Sequence, residues 1–528
     1  MVSKSIIFCF VAAFGGWVFG YDIGYISGCL IMDPFIEKMG EFKDGAWVLE
    51  PQRLSIITSL LSAGTFFGAI LQSFTADRLG RKYSIMAWGA IFTVGTIIQT
   101  ASFGFVQLTV GRFVAGLGVG ALSAIVPLYI GEAAPKKIRG TLLVLYQVQI
   151  VSGLFLAYII NFATHKMTND AAWRIPIGLQ LAWGFVLMMG AAILPESPRL
   201  LLGKGREEDA YKAIASLNDC EVDSDKTREV ALELEEAIAV ENAEGKASWL
   251  ECFSIKNRMF HRTMNGIMIQ FLQQLNGQNF YYYYVRLSPR GLTDVQAPVF
   301  FKNVSGSLNS FTIQLLLGGV SFAMVLPAMW TIEHMGRRSS LLIGAACMAV
   351  CALVAGLVGH YYTDTPGVPA DKQKLGSNVL VAFAILHVSF FSWFWGPTPW
   401  VLLGETFPLR VRPKAIALGA ASNWFWNFML GYFSPLIADD IGPLILLIFF
   451  GCLVAALIYV YFFIPETRGI TLEQVDELYR SGTPAWRSTT WRPSERAVVT
   501  HDDKADPERA HQEHVEAAAV LSKRPSRV

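Results

Sequence analysis

Asp22, in FGYDIG, and Arg112, in GRFVAGLGVG, each stand in the middle of a long apolar stretch. A charged side chain turned to lipid there would cost roughly a few kcal/mol, so both must face the inside of a helix bundle. An ion pair is the simplest way to keep both charged. Such a pair has two uses. It can be a static brace between helices, or a proton site, because a carboxylate takes a proton when its cation moves away and gives it up when the cation returns. Gly116 and Gly120, four apart beside the arginine, let that helix approach a neighbour closely.

A second set of polar groups is neutral. Gln270, Gln273, Gln274 and Gln278 share one face of a helix turning 100° per residue, a stripe that must look into a cavity or onto a polar neighbour. Asn279 leaves that face if the helix is regular, and a break at Gly277 would turn it inward. Gln147, and then Asn423, Trp424 and Asn427, come from other apolar stretches. Amides that donate and accept beside a flat ring suit an uncharged, hydroxyl-rich ligand; an anion would call for a further interior Arg or Lys. Any one amide serves as well for glue between helices, but their number in so few stretches favours a site.

Membrane helices must position these side chains. Of 528 residues 53% are hydrophobic and 16% charged, against about a quarter charged in soluble domains. Twelve stretches of about 20 residues match the roughly 30 Å of a bilayer interior: 6–31, 54–76, 84–103, 107–130, 141–162, 176–194, 264–284, 310–330, 340–359, 378–403, 414–435 and 442–464. The first is too long, and lacks the small-residue site, for a cleaved signal peptide. The chain also repeats itself. DRLGRK at 77–82 returns as EHMGRR at 333–338, GEAAPKKIRG at 131 as GETFPLRVRPKA at 404, and PESPRL at 195 as PETRG at 465. Three repeats in order, roughly 255 to 275 residues apart, describe a duplicated bundle with a substrate path between its halves. The expected divisions are 1–194 and 263–480 for the two halves, 195–262 for a helical loop domain, and 481–528 for a tail without fixed structure.

Lys and Arg cluster on loops of one parity, which the positive-inside rule places in the cytoplasm with 195–262 and both chain ends. The net charge of +1 argues against nucleic-acid binding, and the seven cysteines show no metal-ligand spacing and read as packing residues. No activated nucleophile or phosphate loop appears, so neither an enzyme nor a cofactor is expected.

FGYDIG, ADRLGRK, GRFVAGLGVG, PESPRLL, QQLNGQN, GPTPWVLLGETFPLRVR and PETRGITLEQVDEL together resemble the signature set of the sugar porter family of the major facilitator superfamily, with fungal hexose transporters the nearest group. The resemblance covers about residues 5 to 480. It implies an all-α integral membrane protein with the major facilitator fold: twelve transmembrane helices in two pseudo-symmetric six-helix halves, with a monosaccharide bound between them. Carried over by motif, Gln147, Gln273, Gln274, Asn279, Trp400 and Asn423 contact the sugar, and Asp22 with Arg112 matches the pair assigned to proton coupling. Asp77, Arg78, Arg81, Glu132 and Arg139, with Glu333, Arg337, Arg338, Glu405 and Arg410, match a cytoplasmic charge network that holds the outward-facing state.

Two departures stand out. Ser321 occupies a position where many relatives place Asn, which puts one sugar hydrogen bond in doubt. VRLSPRGLTDVQA at 285–297 separates the tyrosine string from PVFFKN, as an extracellular loop insertion or as translated intron sequence, for which it is short. The expectation is a plasma-membrane hexose carrier, monomeric, working by alternating access with proton symport. The alternatives are an uncoupled facilitator or a non-transporting sugar sensor, the latter disfavoured by the short tail.

Overall fold

A chain within a bilayer must pair every backbone N–H and C=O internally, so its apolar stretches fold as helices. The computed structural model describes residues 4–43, 45–134, 138–243, 248–284, 310–364, 368–408, 411–470 and 472–492; the 285–297 segment and Arg410 lie outside them. The first half contains α1 (Lys4–Cys29), α3 (Pro51–Arg78), α4 (Arg81–Thr100), α5 (Phe105–Ala133), α6 (Arg139–Thr164) and α7 (Ala171–Ile193). Between α1 and α3 lie a short α2 (Asp33–Met39) and an antiparallel hairpin, β1 (Glu41–Lys43) with β2 (Ala46–Val48), in which Glu41 faces Val48. The helices α8 (Pro198–Gly203), α9 (Glu207–Asn218) and α10 (Asp225–Ala243) follow. Lys4 donates its backbone N–H to Asp219 at 2.8 Å and its Nζ approaches the same carboxylate at 3.1 Å, which ties the start of α1 to this segment and holds the Asp219 carboxyl below its usual range.

The second half runs α11 (Met259–Gln274), α12 (Gln278–Tyr284), α13 (Ser310–His334), α14 (Arg337–Val358), α15 (Ala370–Phe390), α16 (Thr398–Glu405), α17 (Arg412–Ile441), α18 (Ile445–Phe463) and α19 (Leu472–Ser481). Helix covers each of the twelve stretches marked in the sequence. Among the described residues, nine helices are long and apolar enough to cross a membrane. The other stretches correspond to α4, the α11–α12 pair and α17, which carry a basic first turn or interior amides.

Two stretches are interrupted. The seventh breaks between α11 and α12 at Gly277, whose φ of 89° is open to glycine at little cost, and Asn276 Oδ1 accepts the Gln278 N–H at 2.8 Å to restart the helix. The tenth passes from α15 through a π turn at Phe391–Trp395 into α16. Pro397 and Pro399 cannot donate to the ladder, and the Gly396 N–H bonds instead to Phe391 O, five residues back, at 2.7 Å.

Of the tail, residues 481–492 are described and 493–528 lie outside the described residues. Its first residues form a 3₁₀ helix, Ala485–Thr490, against the expectation of no fixed structure from 481. Ser488 Oγ accepts the Glu466 N–H at 2.8 Å and Trp486 packs on Phe462, so local anchors outweigh the polar composition.

Within the first half α1 packs on α6, and α5 packs on α3 and α4; within the second α11 packs on α17, and α14 on α15 and α18. A Cβ on Gly116 or Gly120 would collide with the carbonyl of Leu61 or Thr65, so that pair of glycines sets the α3–α5 approach. The halves meet chiefly where α3 packs on α17 and α6 on α13.

Candidate functional site

The amide stripe forms two neighbouring hydrogen-bonded groups, and its last member, Gln278, is buried with no partner for its side-chain amide among the described residues. Asn423, on α17, donates to Gln270 Oε1 and Gln273 Oε1 on α11, both at 2.8 Å. Gln273 Nε2 in turn donates to the Trp395 and Gly396 carbonyls at 2.8 and 2.9 Å, the first of which has Pro399, without an N–H, four residues on. Asn279, swung inward by the break, donates to Gln274 Oε1 at 2.6 Å, and Asn427 donates to the same oxygen at 3.1 Å.

The first half closes on this cluster from two sides. Gln147 is buried on α6 with Nε2 close to Gly396: a Cβ built on that glycine would stand 3.1 Å from it. The neighbouring Tyr146 meets the Trp400 ring edge-on at 6.1 Å. On the other side Ser62, on α3, donates to Asn427 Oδ1 at 2.6 Å, and Trp424 Nε1 donates to Ser123 Oγ on α5 at 2.9 Å. Gln273 and Asn423 thus belong to one hydrogen-bonded group and Gln274 and Asn279 to a second, side by side on α11–α12 and α17, with Gln147 and Trp400 at the edge. Ser321 is wholly buried on α13.

Asp22 and Arg112 lie together in the interior of the first half. The guanidinium donates to the Ile57 carbonyl at 2.7 Å and to the Tyr25 hydroxyl at 2.8 Å, and it stands 4.0 Å from the Asp22 carboxylate. Tyr25 passes the chain on, donating to Gln99 Oε1 at 2.6 Å. Asp22 is 0% exposed, and among the described residues neither carboxylate oxygen meets a hydrogen-bond donor. The arginine is therefore held by other groups, and the carboxylate is held loosely.

At one end of the bundle the charged motifs form two matching forks. Arg81 donates to both Glu132 oxygens at 3.0 and 2.9 Å, and Arg337 to both Glu405 oxygens at 3.1 and 2.8 Å. Asp77 lies 4.0 Å from Arg81, and Glu333 lies 3.5 Å from Arg337. Glu333 also accepts the Thr141 N–H at 3.1 Å, a link between halves at the start of α6, which Arg139 opens. Arg338 donates to the Tyr461 carbonyl at 3.1 Å, and Arg78 is exposed.

Sequence reasoning passed over Glu196 and Glu466. Each carboxylate accepts the first N–H of a helix at 2.8 Å, from Arg81 on α4 and Arg337 on α14 respectively, a favourable place for an anion. The signal was present in the repeated Pro-Glu of PESPRL and PETRG. Ser62 and Tyr25 had no comparable signal.

The family model "Sugar (and other) transporter" matches residues 8–479. The chain belongs to the sugar transporter family. A low-affinity glucose transporter of Kluyveromyces lactis is 39% identical over 517 residues, covering 95% of this chain and 89% of that protein. A galactose transporter of Saccharomyces cerevisiae is 37% identical over 513 residues, covering 95% and 87%. Among solved structures, a proton:xylose symporter of the major facilitator superfamily, bound to 6-bromo-6-deoxy-D-glucose, superposes with a TM-score of 0.74 at 23% identity, covering 90% of this chain and 99% of that one. The fold is that of a major facilitator sugar transporter, a multi-pass membrane carrier and not an enzyme.

Proposed function

We propose that this sugar transporter carries a hexose, glucose in the first instance, across the plasma membrane by alternating access, and that protons drive it. The amide cluster supports the hexose. It offers neutral donors and acceptors from both halves next to indole rings, which suits hydroxyls in several directions and an apolar sugar face. The curated relatives named for glucose and galactose agree with that chemistry. In this reading Gln147, Gln273, Gln274, Asn279, Trp400 and Asn423 contact the sugar.

The loosely held Asp22 carboxylate carries the proton reading. Among the described residues it has no hydrogen bond to lose on taking a proton, only the 4.0 Å ion pair, while Arg112 keeps its partners at Ile57 and Tyr25 when the pair separates. The forks at Glu132 and Glu405, with Glu333 and Arg410, hold the outward-facing state in this scheme. Residues 195–262 and both chain ends face the cytoplasm, and the unit of transport is one chain in lipid.

Uptake of labelled hexoses into transporter-null cells, with and without a protonophore, tests the whole reading. The expected result is accumulation that the protonophore abolishes. Asp22→Asn should equilibrate and exchange hexose without accumulating it, because an amide fills the same place beside Arg112 but does not titrate. Accumulation by that variant would sink the symport reading; equilibration alone by the unmodified chain would leave facilitation, and no movement of sugar would leave a sensor.

A further inference from the structure

Ser62 lies on α3 where the first half meets α17 of the second, and it is 2% exposed. Its hydroxyl donates to Asn427 Oδ1 at 2.6 Å; Asn427 Nδ2 donates at 3.1 Å to Gln274 Oε1, the oxygen that also receives Asn279 Nδ2 at 2.6 Å. Ser62, Asn427, Trp424 and Arg112 line one cleft, so this hydroxyl stands on the wall shared by the amide cluster and the guanidinium.

A carrier that works by alternating access reorients twice in each cycle, once with its cargo and once without. The amides at the centre are buried in both passages, and a buried amide left unpaired is costly. The sugar's hydroxyls pair them in the first passage. In the second, the protein itself must do so, and a serine hydroxyl is the same donor and acceptor as a sugar hydroxyl.

We infer that Ser62 is a positioning residue for transport, whose hydroxyl takes the place of a sugar hydroxyl on Asn427 and so lets the two halves close on the passage that carries no sugar. The inference rests on the hexose-carrier reading above. A second serine tie on the same face, Ser123 to Trp424, leaves the packing of α17 intact when Ser62 changes. The ordinary alternative is that Ser62 glues α3 to α17 at every stage. The two differ in which passage they affect: glue contributes to both, a sugar mimic to the unloaded one only.

The test compares net uptake into sugar-free vesicles, which requires the unloaded return, with equilibrium exchange, which shuttles the loaded form, using the full chain reconstituted in liposomes. Ser62→Ala should lower net uptake about threefold to tenfold, the factor set by one ordinary hydrogen bond, with exchange unchanged. Unchanged exchange also shows that the variant is folded. Ser62→Thr, which keeps the hydroxyl, should restore net uptake. An equal fall in both modes, unchanged net uptake in Ser62→Ala, or a Ser62→Thr variant as slow as the alanine variant would overturn the inference. Failure of the carrier reading shows itself separately, as an unmodified chain that exchanges no hexose, and takes the inference with it.

Discussion

Gln274 is the amide on which Asn279 and Asn427 both depend. Its Oε1 receives both Asn279 and Asn427, so its removal unpairs two side chains besides ending the sugar contact we propose for it. Gln274→Ala and Asn279→Ala should each weaken hexose transport about tenfold or more, since a lost hydrogen bond to a buried group costs roughly 1 to 3 kcal/mol. Gln274→Ala should be the worse of the two. Apparent affinities measured by concentration-dependent uptake decide this, and normal values would show that the amides only pack helices. These residues were legible because a glutamine has no cheap reason to stand in an apolar stretch. Ser62 was not, because a hydroxyl in a helix commonly satisfies itself on a carbonyl three or four residues back, as Thr58 does on Leu54 and Ser123 on Gly120. Only the fold distinguishes a serine that reaches across to the other half.

At the scale of elements, the break between α11 and α12 creates the site, and it depends on Gly277. A Cβ there would lie 2.8 Å from the Phe449 ring, on a backbone of positive φ. Gly277→Ala should therefore cost on the order of 1 to 3 kcal/mol, read as a lower melting temperature of the purified transporter and weaker hexose binding. Replacing Gly277 without loss of either would show that the break is held elsewhere. The glycine made this interruption legible from the sequence. The π turn at Phe391–Trp395 was not, since an aromatic run reads as continuous span and only the backbone shows the Gly396 N–H bonding five residues back. The 285–297 segment follows α12 directly and breaks an aromatic run with two arginines, a proline and a glycine. A chain joining Tyr284 to Pro298, directly or through one glycine, should transport at least as well as the full chain, because loop-closure entropy changes slowly with length. Loss of uptake on that deletion would make the segment a working part of the gate, and sequencing the transcript across it settles its origin.

At the scale of the whole molecule, the duplicated motifs do not make the same contacts among the described residues. Each half has its own fork, Arg81 with Glu132 and Arg337 with Glu405, and neither fork crosses between halves. Among the described residues, a crossing contact is the Glu333 carboxylate on the Thr141 N–H, at the positive end of the α6 dipole. Its counterpart Asp77 is exposed and 4.0 Å from Arg81. On these described contacts, we expect closure of the charged end, which we place in the cytoplasm, to depend on Glu333 more than on Asp77. Glu333→Gln should weaken it by on the order of 1 kcal/mol, a several-fold shift toward the state open at that end. Leu143, buried at 2% exposure and facing Gly404 across the halves, reports the change. A cysteine placed there should react several-fold faster with an impermeant thiol reagent applied to the charged side in the Glu333→Gln background, and much less so with Asp77→Asn. Equal acceleration by the two substitutions would mean that the gate uses both copies of the motif alike, and that the asymmetry of these contacts does not govern which way the carrier opens.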